Sequence, residues 1–141
     1  MIRIVLDTDV VVAALRSPAG GSNAVLREVA LGHVRPLATP ALFLEYEAVL
    51  KRPEHRLAHG LRLDEIDDFL ATLAEAIEGV EISYSWRPQL SDAEDEMVLE
   101  TAINGRADAL VTHNVRDFAK GAARFGIRVR RPGEFLKEFR S

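Results

Sequence analysis

The chain has 141 residues, of which 48% are hydrophobic and 28% are charged, and its formal net charge is −4. These values are typical of a globular protein, and the length predicts one domain, residues 1–141, large enough to bury a core. The absence of cysteine excludes disulfide frameworks and thiolate metal sites, and no apolar stretch approaches the roughly 20 residues of a membrane span. With no signal peptide at the N-terminus, we expect a cytoplasmic protein without a membrane partner.

The charges are unevenly distributed along the chain. Residues 41–100 hold 5 Lys/Arg against 15 Asp/Glu, whereas residues 101–141 hold 9 Lys/Arg against 4 Asp/Glu. This segregation indicates an acidic site or face beside a basic one, although two oppositely charged solvated faces would give the same pattern. A basic surface next to carboxylates suits a polyanion whose phosphates must reach a metal.

The first stretch, residues 2–6, is almost continuously apolar and runs directly into Asp7. Such a run predicts a strand buried on both faces, as in a parallel sheet. Polar chemistry in parallel sheets gathers at the carboxyl ends of the strands, where Asp7 stands and where Asp9 follows.

The elements predicted after this strand alternate between helix and strand. Helices are expected over residues 8–15, 22–31 with Ser22 as N-cap, 40–52, 64–78, 92–105 with a capping box at Ser91, and 132–139. Strands are expected over residues 34–38, 80–83, 109–112 and 127–130, with connectors at 53–62 and 84–90 and a polar loop at 113–118. The alternation predicts a single doubly wound α/β domain with a mostly parallel sheet of about five strands flanked by helices.

Two carboxylates lie on the apolar faces of predicted helices. Glu45 falls on the stripe of Leu42 and Val49, and Asp95 falls on the stripe of Val98 and Leu99. A carboxylate on the buried side of a helix costs several kcal/mol unless something compensates it. These two residues therefore need a partner that the helices themselves do not supply.

Asp7, Glu45, Asp95 and Asp117 are expected to meet at the edge where strand ends and helix N-termini converge, with Asp9 and Asp92 as neighbours. Like charges this close share protons or need a cation. An all-oxygen cluster suits Mg²⁺ or Mn²⁺ rather than zinc.

Each of these acids also has an ordinary structural interpretation. Asp7 and Asp92 could only cap helices, Asp95 could only complement a helix dipole, Glu45 could pair with an Arg, and Asp117 could be a surface turn residue.

The sequence resembles the PIN-domain family, specifically the VapC-like toxins of prokaryotic type II toxin–antitoxin systems. The resemblance rests on the stretches IVLDTDVVVAAL, TPALFLEYEAVLKRPE, LSDAEDEMVLETAINGRADALVTHNVRDF and IRVRRPGEFL, and covers nearly the whole chain. It implies a Mg²⁺- or Mn²⁺-dependent endoribonuclease that pairs with a cognate antitoxin and forms a homodimer. By motif position it implies that the catalytic and metal-binding acids are Asp7, Glu45, Asp95 and the acid of the VTHNVRDF loop.

Two departures from the family pattern affect the last part of this site. Asp9 stands where the common opening has Asn. The acid that usually follows the Thr-Gly pair is replaced by Asn114, two residues after Thr112, and the nearest acid is Asp117. Either the Asn114 carbonyl contributes or Asp117 takes the role.

The expected mechanism is attack of a metal-activated water on a phosphodiester, with Glu45 as ligand or general base. Three cations, Arg116, Lys120 and Arg124, are expected to contact the RNA backbone, and His113 borders the site.

Two other functions fit parts of the sequence. The Asp7-Thr8-Asp9 opening fits a haloacid-dehalogenase-like phosphatase, but the later motifs come in the wrong order. A PIN fold that has lost catalysis and acts as a binding module is motivated by Asn114.

Overall fold

The structure is a computed structural model and describes residues 1–83, 90 and 92–141. Its centre is a five-stranded sheet in which every neighbouring pair of strands is parallel. The strands are β1 (Ile2–Leu6), β2 (Val34–Ala38), β3 (Glu78–Gly79), β4 (Ala109–Val111) and β5 (Arg128–Arg130). This arrangement confirms the predicted α/β fold with a parallel sheet.

The strand order is β3-β2-β1-β4-β5, so the chain builds the sheet outward from β1 in one direction and then in the other. The order therefore reverses between β1 and β4, and the loops that follow these two strands diverge from each other. In open parallel sheets, this switch point at the carboxyl ends of the strands is where ligands bind. Asp7 directly follows β1, and Thr112 directly follows β4.

Eight helices cover the sheet in the part of the chain that the structure describes. They are α1 (Thr8–Arg16), α2 (Gly21–Ala30), α3 (Pro40–Leu50), α4 (Pro53–His59), α5 (Leu63–Ala76), α6 (Ala93–Gly105), α7 (Val115–Ala123) and α8 (Pro132–Arg140). None of the described helices is long and apolar enough to cross a membrane.

The core is densest around β1, where Ile4, Val5 and Leu6 are almost completely buried. Tyr46 on α3 is also buried, and its phenol donates a hydrogen bond to the backbone carbonyl of Leu6. A buried hydroxyl needs such a partner, because an unsatisfied one costs about 1–3 kcal/mol. The bond ties α3 to the last residue of β1, directly before Asp7.

Two helices were not expected from the sequence. Residues 53–62 were predicted to be a connector, but they contain α4, because Pro53 occupies the first helical position rather than ending a helix. Residues 113–118 were predicted to be a polar loop, but α7 begins at Val115 and buries Phe118 and Ala122. The polar residues of α7 hid its narrow apolar face, whereas α4 buries no residue and gave no apolar periodicity to detect.

Several predicted boundaries also need correction. The helix expected to start with Ser22 as N-cap starts at Gly21, with Gly20 at the cap, so Ser22 lies inside it and is buried. The strand expected at 80–83 is instead the two-residue β3, Glu78–Gly79. Asp92 caps α6, whereas Ser91 and the connector around Trp86 lie outside the described residues.

The last turn of α6 packs closely against the side chains of Leu37, in β2, and Val80. A Cβ added to Gly105 would meet Leu37 Cδ1 and Val80 Cγ2, each at 2.9 Å. Leu37 and Val80 are both buried, so neither has free space to move into. The missing side chain at Gly105 therefore permits the approach of the helix that carries Asp95.

We predict that Gly105→Ala lowers the free energy of unfolding by about 1–3 kcal/mol, because the new methyl group overpacks this contact. The matched control is Gly133→Ala in α8, where an added Cβ meets nothing within 4 Å. That substitution should be neutral or stabilise by about 0.5–1 kcal/mol. Urea unfolding followed by circular dichroism measures both, and equal stability of the two variants would contradict the close approach at Gly105.

Candidate active site

The site is built around Asp7, which follows β1 and is 6% exposed. Its backbone N–H donates to the carbonyl of Val111 at 2.9 Å, which continues the pairing of β1 with β4 for one more residue. Its side-chain Oδ1 accepts from the N–H of Thr8 at 2.7 Å, and Oδ2 accepts from the hydroxyl of Thr112 at 2.7 Å. Both oxygens are therefore held in place by the two loops at the switch point.

Asp9 lies beside Asp7 in the first turn of α1. Its carboxylate accepts from the backbone N–H of His113, with distances of 3.2 and 3.4 Å to the two oxygens. Burial raises the pKa of both Asp7 and Asp9, and the charge of Asp9 raises the pKa of Asp7 further. The two carboxyl groups lie close enough that each affects the pKa of the other, while burial is the largest cause of the raised pKa of both.

Asp95 is placed by the first turn of α6. The side chain of Asp92 caps this helix by accepting from the N–H groups of Glu94 at 2.8 Å and Asp95 at 3.1 Å. Partial burial raises the pKa of Asp95 to about 6, and the charges of Asp7, Asp92, Asp117 and Glu94 raise it as well. Four neighbouring carboxylates therefore act on Asp95.

Glu45 enters from α3, and its side chain is 20% exposed. Its Oε1 atom is buried without a hydrogen-bond partner among the described residues. Nη2 of Arg52 lies 3.9 Å from Oε1, which is Coulomb contact rather than a hydrogen bond. Burial, followed by the charge of Glu94, raises the pKa of Glu45.

An open cavity of about 520 Å³ lies at this cluster. Four carboxylates line it: Asp7, Asp9, Glu94 and Asp95. Arg16, Arg52 and His55 line it as well, whereas Glu45 does not. The lining therefore combines carboxylates with basic side chains, a combination suited to an anion that must approach a cation held by carboxylates.

The structure places most of the predicted site residues at this edge of the sheet. Asp7, Asp9, Asp95 and Asn114 line the cavity, while Thr112 lies directly behind Asp7. Glu45 is coupled to the cavity through Glu94, and Asp92 caps the helix that carries Asp95.

The remaining predicted residues lie on or beside α7. Asp117 is exposed in the first turn of this helix, close enough for its charge to act on Asp95. Arg116 and Lys120 are exposed on α7, and Arg124 is its C-cap. These three cations do not line the cavity, so their proposed contact with RNA stays a prediction.

Sequence reasoning missed Glu94, Arg16, Arg52 and His55 as lining residues. Glu94 was interpreted as part of a capping box, yet it faces Glu45 and the cavity. The sequence did offer one indication of this role: residues 92–96 contain four acids, more than are needed to cap a helix and complement its dipole. Arg52 and His55 were hidden because α4 was not predicted, and nothing in the spacing of Arg16 identified it.

The donor set fits a hard divalent cation in its chemistry. It consists of carboxylate oxygens that repel one another, and it includes one buried oxygen, Glu45 Oε1, that forms no hydrogen bond within the described part of the chain. Within residues 1–83, 90 and 92–141, no group of three or more His, Asp or Glu side chains is placed so that it could hold a metal ion. The carboxylates would therefore have to change rotamer to close around one ion.

A family profile for the PIN domain matches residues 3–116, well over half of the chain. The chain belongs to the PIN domain family. The matched range contains β1, α3 and α6, and thus Asp7, Asp9, Glu45, Glu94 and Asp95.

Among solved structures, this PIN domain is similar to a chain in the crystal structure of VapBC2 from Rickettsia felis bound to a DNA fragment from their promoter. The TM-score is 0.60 at 13% sequence identity, and the match covers 91% of this chain and 97% of the other. At this identity the similarity concerns the fold. No curated protein matches the sequence.

The raised pKa values predict how the stability of the metal-free PIN domain depends on pH. A carboxyl group whose pKa is higher in the folded state than in the unfolded chain binds more protons when folded, so stability falls as pH rises between the two values. With EDTA present, the free energy of unfolding should therefore fall between about pH 4 and pH 7, since Asp95 titrates near 6. Asp9→Asn should be more stable than the wild type by about 1–2 kcal/mol at pH 7.5 and nearly equal to it at pH 4.5.

Chemical denaturation at the two pH values, in EDTA, measures this difference. The control is Asp68→Asn, which removes an exposed carboxylate on α5 and should leave both values unchanged. An Asp9→Asn variant less stable than the wild type at pH 7.5 would show that Asp9 stabilises the fold when charged.

Proposed function

We propose that this PIN domain is a metal-dependent endoribonuclease that hydrolyses RNA phosphodiester bonds. The observation that carries the proposal is the meeting of Asp7, Asp9, Glu94 and Asp95 around one cavity at the switch point, with Glu45 of α3 beside Glu94. Placing like charges next to one another away from water lowers the free energy of unfolding, so this arrangement indicates a function rather than a contribution to stability. Membership of the PIN family supports the same conclusion.

Asp7, Asp95, Glu45 and Asp117 are the proposed ligands of Mg²⁺ or Mn²⁺, with Asp9 and Asn114 beside them. A bound divalent ion lowers the pKa of a coordinated water and neutralises charge on the phosphate oxygens. Glu94 lines the same cavity and is available to this set, although the family pattern did not point to it.

The protein residues supply the proton transfer and the positioning. Among the described residues, Glu45 Oε1 has no hydrogen bond, and its pKa is raised, which suits it to accept the proton of the attacking water. The water oxygen would bond to phosphorus as the bond to the leaving ribose oxygen breaks, and that oxygen would take a proton from solvent. Arg16 and Arg52 line the cavity, where they would hold non-bridging phosphate oxygens.

The test is cleavage of a mixture of structured RNAs by the purified protein in Mn²⁺ and in EDTA. We expect cleavage only with metal, and we expect Asp7→Asn and Asp95→Asn to lower the rate by at least about 100-fold, since each removes charge from the ion site. Asp68→Asn, with its carboxylate on the outer face of α5, should cleave like the wild type. Full activity of Asp7→Asn would overturn the proposal.

A wild-type protein that neither cleaves RNA nor binds Mn²⁺ by calorimetry would instead favour the inert binding module. The replacement of the usual acid by Asn114 is the observation that keeps this second candidate open.

A finer proposal is that the domain is the toxin of a cytoplasmic toxin–antitoxin pair and forms a homodimer. The fold similarity to a chain of VapBC2 supports it. Exposed leucines on neighbouring helices, Leu44 on α3 and Leu57 on α4, also favour a protein partner.

Expression of the wild-type protein alone in a bacterial host should then arrest growth, whereas Asp7→Asn should not. Growth that is unaffected by an expressed and RNA-cleaving wild type would separate the nuclease from the toxin role.

A further inference from the structure

A second cavity, of about 460 Å³, adjoins the acidic one. The two cavities share Ala13 and Ser17, so only the end of α1 separates them. The second cavity has a mostly apolar wall and carries no Asp or Glu of the carboxylate cluster. Its volume is within the range of small-molecule sites and suits a single nucleotide.

The ring of His113 is fixed at the wall of this cavity. Its Nε2 lies 2.9 Å from the hydroxyl of Ser22, a buried residue of α2. Its backbone N–H is held by the carboxylate of Asp9 in the neighbouring cavity. His113 is therefore attached on one side to the carboxylate cluster and on the other to α2, while the residue as a whole is exposed.

The only arginine lining the second cavity is Arg131, which stands immediately before α8. Its guanidinium lies 3.9 Å from the carboxylate of Glu134, and that carboxylate already accepts the backbone N–H of Arg131 at 3.0 Å. The side chain of Arg131 is 60% exposed, so it can turn toward an anion without breaking a buried contact.

We infer that this second cavity binds the nucleotide adjacent to the scissile phosphate, with its base stacked on His113 and its phosphate held by Arg131. The inference rests on the proposed function, because it extends the RNA path away from the carboxylates. An aromatic ring beside a cation is the combination that proteins use for single-stranded nucleic acid, whereas a paired base could not be inserted. The second cavity would therefore take one unpaired nucleotide next to the cleavage point.

The experiment measures binding of a fluorescein-labelled single-stranded RNA of ten nucleotides by anisotropy. It uses the full chain carrying Asp95→Asn, so that the RNA is not cleaved. In this background, Arg131→Gln should weaken binding about five-fold or more and reduce the slope of log Kd against log salt by about 1. The control is Lys137→Gln, which removes the same charge from an exposed position of α8 that lines neither cavity and should change binding less than two-fold.

The role of the ring is tested separately. His113→Ala should weaken binding about five-fold or more, and His113→Phe should restore it because the stacking surface returns. The hydrogen bond to Ser22 is lost in both variants, so a merely structural role would weaken both equally. Annealing the RNA to its complement should weaken binding by at least about ten-fold.

Two results would overturn the inference: Arg131→Gln behaving like Lys137→Gln, or His113→Phe binding as weakly as His113→Ala. Neither depends on cleavage. If the inference fails while the wild type cleaves RNA, the nuclease stands with its substrate held elsewhere. If binding follows the prediction but the wild type cleaves nothing in Mn²⁺, the proposed activity fails and the binding site remains.

Discussion

Electrostatic repulsion among carboxylates is the constraint on which the rest of this structure depends. Asp7, Asp9 and Asp95 are partly or wholly removed from water next to one another, which raises the pKa of each. Such an arrangement opposes folding at neutral pH, so the surrounding structure must hold it together. The sheet and the loops that follow β1 and β4 hold the carboxylates next to one another at the edge of the cavity.

The restraints on the cluster come from the backbone and from neutral donors rather than from buried cations. Thr8, Thr112 and His113 donate to the carboxylates of Asp7 and Asp9, and the phenol of Tyr46 fixes the preceding carbonyl. Neutral donors hold the carboxylates in position without cancelling their charge. The negative potential of the cluster is therefore preserved, whereas a set of buried ion pairs would have neutralised it.

The sequence was sufficient to predict the parallel sheet and the carboxylates that follow buried strands or lie on apolar helix faces. These features have strong local signals: the run at residues 2–6 leaves no polar face, and Glu45 interrupts an apolar stripe. The same reasoning failed where the signal was weak or ambiguous. A proline before a helix looks the same in sequence as one that ends a helix, so α4 was missed, and with it the basic residues Arg52 and His55. Glu94 has an ordinary role in a first helical turn, and only the tertiary approach of α3 gives it another.

The hydroxyl of Thr112 has only one proton. That proton is given to Asp7, and the oxygen accepts the backbone N–H of Asn114 at 2.9 Å, so donor and acceptor roles are both in use. Thr112 is completely buried, so no water molecule can replace either hydrogen bond. Among the natural side chains, serine and threonine alone are small enough to fit there while both donating and accepting, and only threonine also fills the space of the methyl group. Position 112 should therefore tolerate almost no sequence variation among proteins that keep this cluster, even though its side chain does not line the cavity.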